Sequence, residues 1–223
     1  MSKKLFFEAI FKFLFGIILV GIFIFLPAGT LYYYNGWMLM SILFIPMLAV
    51  GIIMMIKNPK LLESRLNAKE KQKEQGIIIK ISGLMFIVGF VLAGLDYRYN
   101  WFVTPKWIVI FASILFILSY IMWAEVLREN VYLSRTIKVS LDQKVIDKGL
   151  YGVIRHPMYS ATIILFLSMP LVLGSLIAFS VFLLYPILII CRLINEEKVL
   201  EKELKGYIEY KQKVKYRLIP FIW

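Results

Sequence analysis

About six apolar runs, separated by short charged or turn-like stretches, constrain this chain more than any other feature of its sequence. A membrane-spanning helix needs roughly 20 mostly apolar residues. Runs at about 13–34, 37–56, 77–95 and 107–127 meet that length. Two shorter runs follow at about 158–173 and 175–191, with Gly174-Ser175 between them. The chain is 61% hydrophobic with a mean hydropathy of +0.78, far above a soluble domain. The expected fold is an all-α polytopic membrane bundle of about six apolar helices, the last two forming either crossings or a short tilted hairpin. The 223 residues leave room for one integral membrane domain and little else. Residues 1–127 form its N-terminal transmembrane part, and 128–223 carry most of the remaining polar residues.

Charge gives the fold a direction. Of the 26 Lys and Arg residues, all but Arg98 and Lys106 fall on one side if every apolar run crosses. The positive-inside rule then puts both termini and the two long loops in the cytoplasm. The net charge of +12 is explained by basic loops against a membrane surface, without nucleic acid. Trp37, Trp101, Trp107 and the Tyr32-Tyr33-Tyr34 cluster lie at span ends, where amphipathic rings prefer the interface. No small-residue cleavage site follows the first run, so no cleavable signal peptide is expected. Lys/Ile-rich usage points to a prokaryotic cytoplasmic membrane. The tail from Arg192 to about Val214 is expected to be a cytoplasmic amphipathic helix, because Leu193, Leu200, Leu204 and Tyr207 fall on one stripe.

Ionisable residues gather where the apolar runs meet the charged segments: Glu125, Arg128, Arg155, His156, Arg192, Glu196 and Glu197. Charge at a membrane end is costly unless paired or solvated, which makes such a group a candidate site. Each residue also has a plainer reading. Glu125 and Arg128 fit an interfacial ion pair, Arg155 a membrane anchor, His156 a structural histidine, and Glu196-Glu197 a solvated helix face. Arg192 and Glu196 stand four apart and share a helical face. There they suit binding of a zwitterion or pairing with each other. One histidine and one cysteine do not make a His/Cys metal site, and no metal is expected. Cys191 lies in an apolar run without a histidine partner for nucleophilic catalysis. The "GLYG" at 149–152 is neither a P-loop nor a dinucleotide fingerprint.

The stretch "DQKVIDKGLYGVIRHPMYSA" (142–161), then "RLINEEKVLEKELKGYIEYKQKV" (192–214) and "LIPFI", resembles the isoprenylcysteine carboxyl methyltransferase family. That family stands with the phospholipid N-methyltransferases among integral membrane methyltransferases. The matching residues are Gly149/Tyr151, the Arg155-His156-Pro157-Met158-Tyr159 run, Arg192, Glu196-Glu197 and Tyr207/Tyr210. They cover roughly the last third of the chain. Leu150 stands where the family often has proline, and Ser160-Ala161 where a glycine is common.

The resemblance implies an S-adenosyl-L-methionine site built by 128–223 rather than by a Rossmann fold. His156 and Tyr159 would line it, with Pro157 and Met158 between them. Tyr151 and a strand-like stretch, Gln143, Lys144, Val145 and Ile146, would wrap it. Glu196 would bind the amino group of the cofactor, and Arg192 would face the acceptor as the catalytic and substrate-binding residue. The acceptor implied is lipidic or isoprenoid, most simply a carboxylate. The chemistry suits these residue types. A carboxylate fits an ammonium, and methyl transfer mainly needs alignment and the removal of water. An acceptor carboxylate needs no general base, whereas an amine must lose a proton and no dedicated base stands out. Two other readings stay open: an NADPH-dependent membrane reductase of an isoprenoid or sterol-like substrate, and a non-catalytic membrane protein.

Overall fold

A computed structural model describes residues 3–66, 73–133, 139 and 143–223. The rest of the two charged loops, including Asp142 at the head of the quoted motif, lies outside the described residues. Among the described residues the fold is all helical. The helices are α1 (Lys3–Ala28), α2 (Tyr34–Lys57), α3 (Pro59–Leu66), α4 (Lys73–Tyr99) and α5 (Lys106–Glu129). A 3-10 turn at Gly149–Gly152 leads to α6 (Pro157–Val172), α7 (Leu176–Phe182), α8 (Leu184–Glu203) and α9 (Tyr207–Lys213).

Helices α1, α2, α4, α5 and the pair α7–α8 are long and apolar enough to cross a membrane, while α6 is a shorter apolar helix. Their lipid-facing positions carry large apolar side chains such as Phe11, Ile18, Ile45 and Ile110, all exposed. The chain is a multi-pass integral membrane protein. Helix α6 packs along α5, and α4 lies between α1 and α7. Close approach on α4 rests on small residues. A Cβ at Gly94 would lie 2.6 Å from the Ile24 carbonyl oxygen, and one at Gly89 would collide with the Phe182 ring. The rings of Phe86, Phe166, Phe182 and Tyr185 meet edge to face in the core beside it.

The structure departs from the sequence expectation at three places. The first run was expected to continue to residue 34, but α1 ends at Ala28 because Gly29 adopts φ +68 and closes the helix. The last apolar run is not a hairpin arm followed by a separate tail helix. It breaks at Leu183 and then continues unbroken from Leu184 through Arg192 to Glu203. Pro186 explains the break, since it has no N–H for the Phe182 carbonyl and its ring crowds that position. Nothing between Ile190 and Glu196 can stop a helix, so the apolar run and the charged tail are one element. The tail then turns at Leu204–Gly206, with Gly206 at φ +87, and folds α9 back on the bundle.

Candidate functional site

The ends of α5, α6 and α8, the turn at 149–152 and the folded-back α9 meet at one end of the bundle. They surround an open cavity with about 860 Å³ of empty space, adjoining solvent included. Its position follows from local sequence. Pro157 is the first residue of α6, where a missing N–H costs nothing, and it aims the helix away from the Arg155-His156 pair. Gly149 adopts φ +58, and a Cβ there would collide with the Glu129 carboxylate. That carboxylate accepts the Leu150 N–H at 3.1 and 3.2 Å and anchors the turn to the end of α5. The turn presents Tyr151, whose hydroxyl accepts from Asn130 Nδ2 at 3.0 Å.

Beneath the cavity lies a buried ionic hub. Glu197, 3% exposed, accepts from Arg155 Nε at 2.8 Å and from Arg217 Nε at 3.0 Å. His156 Nε2 lies 3.2 Å from the same carboxylate. Arg155 also donates to the carbonyls of Val214 and Lys215, each at 2.9 Å. The backbone N–H groups of Arg155 and His156 bond to Tyr216 and Arg217 carbonyls at 2.9 and 3.0 Å. The plainer readings of Arg155 as an anchor and Glu197 as a solvated residue are therefore overturned. These two side chains, 42 residues apart, clamp the C-terminal tail under the site. His156 lines the cavity, but its ring nitrogen serves the hub.

Consecutive residues on a helix point about 100° apart, so Glu196 faces away from the hub and onto the cavity. It accepts the Tyr159 hydroxyl, which in turn accepts Arg192 Nε at 3.1 Å. Arg192 and Glu196 are thus bridged through a phenol from α6. The structure brings Gln143, Lys144, Val145, Ile146, Tyr151, His156, Met158, Tyr159, Arg192 and Glu196 onto one cavity. Two expectations are corrected. Pro157 is fully buried and does not line the cavity, because its ring is used to start α6. Residues 143–146 are not a strand; they run irregularly along the wall. Glu125 and Arg128 form the expected ion pair, at 2.5 Å, and stand apart from the site.

The sequence reading missed part of the lining. Asn130, Tyr132, Leu133, Leu200, Leu204, Tyr207 and Tyr210 also line the cavity, with Arg155 of the hub, and the turn at Gly206 brings in Tyr207 and Tyr210. Tyr210 donates to the Tyr151 carbonyl at 2.7 Å and fixes α9 over the turn. Burial pushes the Tyr151, Tyr207 and Tyr210 phenols well above the usual tyrosine range, so all three remain neutral donors. Tyr207 is 4% exposed, and its hydroxyl finds no partner among the described residues. A buried hydroxyl without a partner is a cost to the fold. The donor set fits a zwitterionic nucleoside such as S-adenosylmethionine. Glu196 suits an ammonium, the phenols suit hydroxyl or carboxylate oxygens, and Val145, Ile146, Leu200 and Leu204 suit the face of a base.

Residues 107–205 match the family described as phospholipid methyltransferase, an assignment that covers α5 to α8. The match takes in less than half of the chain and agrees with the resemblance seen in its motifs. A Delta(14)-sterol reductase of Mus musculus is 30% identical over 91 residues, 40% of this chain. The match spans only 22% of that curated relative's length.

Proposed function

We propose that the chain is an S-adenosylmethionine-dependent membrane methyltransferase acting on a lipidic or isoprenoid acceptor, most simply a carboxylate. The observation that carries this reading is convergence. Residues picked from two motifs more than 30 positions apart line one cavity within the segment that matches the methyltransferase family. On this reading 128–223 is the cofactor-binding and catalytic part. The basic end faces the cytoplasm of a prokaryotic cell, with both termini on that side.

S-adenosylmethionine, when bound, supplies a methyl group already activated on a sulfonium. The residues of the chain have the simpler work of binding, orienting and excluding water. Glu196 holds an ammonium, and Tyr159 keeps its carboxylate aimed into the cavity. Tyr151, His156, Met158 and 143–146 enclose the ligand, while α9 closes the cytoplasmic side through Tyr207 and Tyr210. Arg192, one turn of α8 nearer the membrane core than Glu196, holds the acceptor carboxylate with its charge. That acceptor is already a nucleophile and needs no base.

The similarity to the sterol reductase favours a second reading, in which the same cavity takes NADPH for reduction of an isoprenoid or sterol-like double bond. Calorimetric titration of the detergent-purified protein separates the two. We expect S-adenosylmethionine and S-adenosylhomocysteine to bind, Glu196→Ala to weaken both at least tenfold, and NADPH not to compete. Binding of NADPH alone would establish the reductase reading. Binding of none of the three would overturn both and leave a non-catalytic membrane protein.

A further inference from the structure

A second cavity lies at the end of the bundle opposite the candidate site, with about 470 Å³ of empty space to its mouth. The α1–α2 turn, the 100–105 loop and the α6–α7 turn enclose it. Its walls include Tyr33, Asn35, Asp96, Tyr97, Phe102 and Thr104, and no lysine or arginine lines it. Only two basic residues, Arg98 and Lys106, belong to this end of the bundle.

Asp96 is 2% exposed. Its Oδ1 accepts the Phe102 N–H at 3.1 Å and its Oδ2 accepts the Ser175 hydroxyl at 2.5 Å, so both partners are neutral. Among the described residues it has no ion pair. Arg98, two residues on, turns away to Gly29 and the Tyr99 ring. Asp96 also sits in the last turn of α4, where the helix dipole disfavours an anion. A buried carboxylate at a membrane end without a countercharge is costly. Its two hydrogen bonds do not require that charge. Ser175 already caps α7 by accepting the Ala178 N–H at 3.1 Å, and an asparagine at 96 would satisfy Phe102 as well. Nothing in these hydrogen bonds calls for a carboxyl group rather than an amide at 96.

The surroundings say what would neutralise a carboxylate there. Tyr33 and Tyr97 stack with ring centroids 4.1 Å apart, and Phe102 borders the same space. Aromatic walls around one carboxylate suit an organic cation. A divalent metal would need more anionic ligands than one, and the described residues hold no cluster of three metal-ligating side chains. The mouth carries exposed Phe102 and Val103, within reach of a lipid interface. We propose that this cavity binds an organic ammonium group, with Asp96 as its counter-ion and Tyr97 and Phe102 as its aromatic wall. Either an ethanolamine lipid headgroup or a free amine has this chemistry.

The test follows thermal unfolding of the full-length, delipidated protein by tryptophan fluorescence. Ethanolammonium chloride is titrated against sodium chloride at matched ionic strength. A second arm compares nanodiscs of phosphatidylethanolamine with nanodiscs of phosphatidylglycerol. We expect a saturable rise in Tm with ethanolammonium that Asp96→Asn abolishes. A matching rise in phosphatidylethanolamine without added amine identifies the lipid headgroup as the source, and its absence identifies a free amine. Val103→Lys is a second variant that keeps Asp96 and the interior intact while placing a tethered ammonium at the rim. It should fold as the wild type does and lose at least two-thirds of the amine response. No amine response in the wild type, an equal response in Asp96→Asn, or a full response in Val103→Lys would each overturn the proposal.

Discussion

Two buried carboxylates stand at opposite ends of this bundle in opposite company. Glu197 is 3% exposed and meets two guanidinium groups and an imidazole. Asp96 is 2% exposed and, among the described residues, its hydrogen bonds come from a hydroxyl and a backbone N–H. At one end the charges are satisfied within the protein, and the carboxylate works as a clamp that sets the C-terminal tail beneath the cavity. At the other the hydrogen bonds are satisfied and no cationic partner is present among the described residues. Burial alone therefore does not tell a structural carboxylate from one that awaits a ligand; the sign and number of its partners do.

The same amide replacement at both positions is the strongest way to break this comparison. Glu197→Gln leaves Arg155 and Arg217 without a countercharge around a buried amide. It should lower stability by about 3 kcal/mol or more, the usual penalty for breaking a buried pair from one side. Asp96→Asn removes a charge that nothing in the protein balances, so its cost should stay below about 1 kcal/mol. Chemical unfolding of both variants in one detergent measures the difference. Comparable losses at the two sites would show that Asp96 is as structural as Glu197.

Gly149→Ala comes next in size, because it attacks the turn that sets Tyr151 without touching the hub. Alanine at φ +58 costs about 1–2 kcal/mol from the backbone alone. Its Cβ must also displace the Glu129 carboxylate. We expect loss of ligand binding at the cavity with the hub intact, seen as a calorimetric signal reduced at least tenfold in a protein that still unfolds cooperatively. Binding equal to the wild type would mean that the turn does not position the site.

How much of this was legible in the sequence depends on the range of the interaction. Hydropathy is a local property, so α2, α4, α5 and α6 were readable to within a few residues, while α1 starts and ends earlier than its apolar run and α8 continues well past its own. The Arg192–Glu196 spacing was readable because four residues make one helical turn. Ten of the eleven residues marked for the site line the cavity, since their motif is compact at each of its two positions. The hub was not readable. Arg155 and Glu197 meet only because α6 and α8 pack side by side, and neither carries a local mark of its partner. Two other misses did have signals. Pro186 announced the break at Leu183, and Gly206 after a Lys/Glu-rich helix announced the turn that brings Tyr207 and Tyr210 over the cavity.

Tyr207 sharpens the comparison at the level of a single atom, since its residue lines the candidate cavity and its buried hydroxyl has no partner among the described residues. Tyr207→Phe removes no hydrogen bond from the protein and keeps the ring. Stability should change by no more than about 0.5 kcal/mol. If the hydroxyl is held in place for a ligand, affinity for S-adenosylmethionine should fall about threefold to tenfold, the worth of one neutral hydrogen bond. A variant that binds as tightly as the wild type would make the orphaned hydroxyl a packing cost with no function.

The smallest effect belongs to the exposed counterpart of the hub, the Asp147–Lys213 pair, which joins the 143–147 wall to α9 at 2.7 Å. The Lys213 hydrogen bond and charge hold the Asp147 carboxyl below its usual 3.8. A depressed carboxyl contributes stability above its unfolded value and loses it as pH falls through the folded one. The pair should therefore help at neutral pH and fade below a pH of about 4. Both side chains are solvated, so the contribution is small and screened by salt. Unfolding of wild type and Lys213→Ala from neutral pH down to acid, at low and high salt, measures it. The two proteins should differ slightly at neutral pH and low salt, and converge on acidification or on adding salt. A difference that persists in acid would mean that Lys213 acts through its aliphatic stem rather than through charge. In that case the contrast between paired and solvated carboxylates at this end of the bundle would rest on the hub alone.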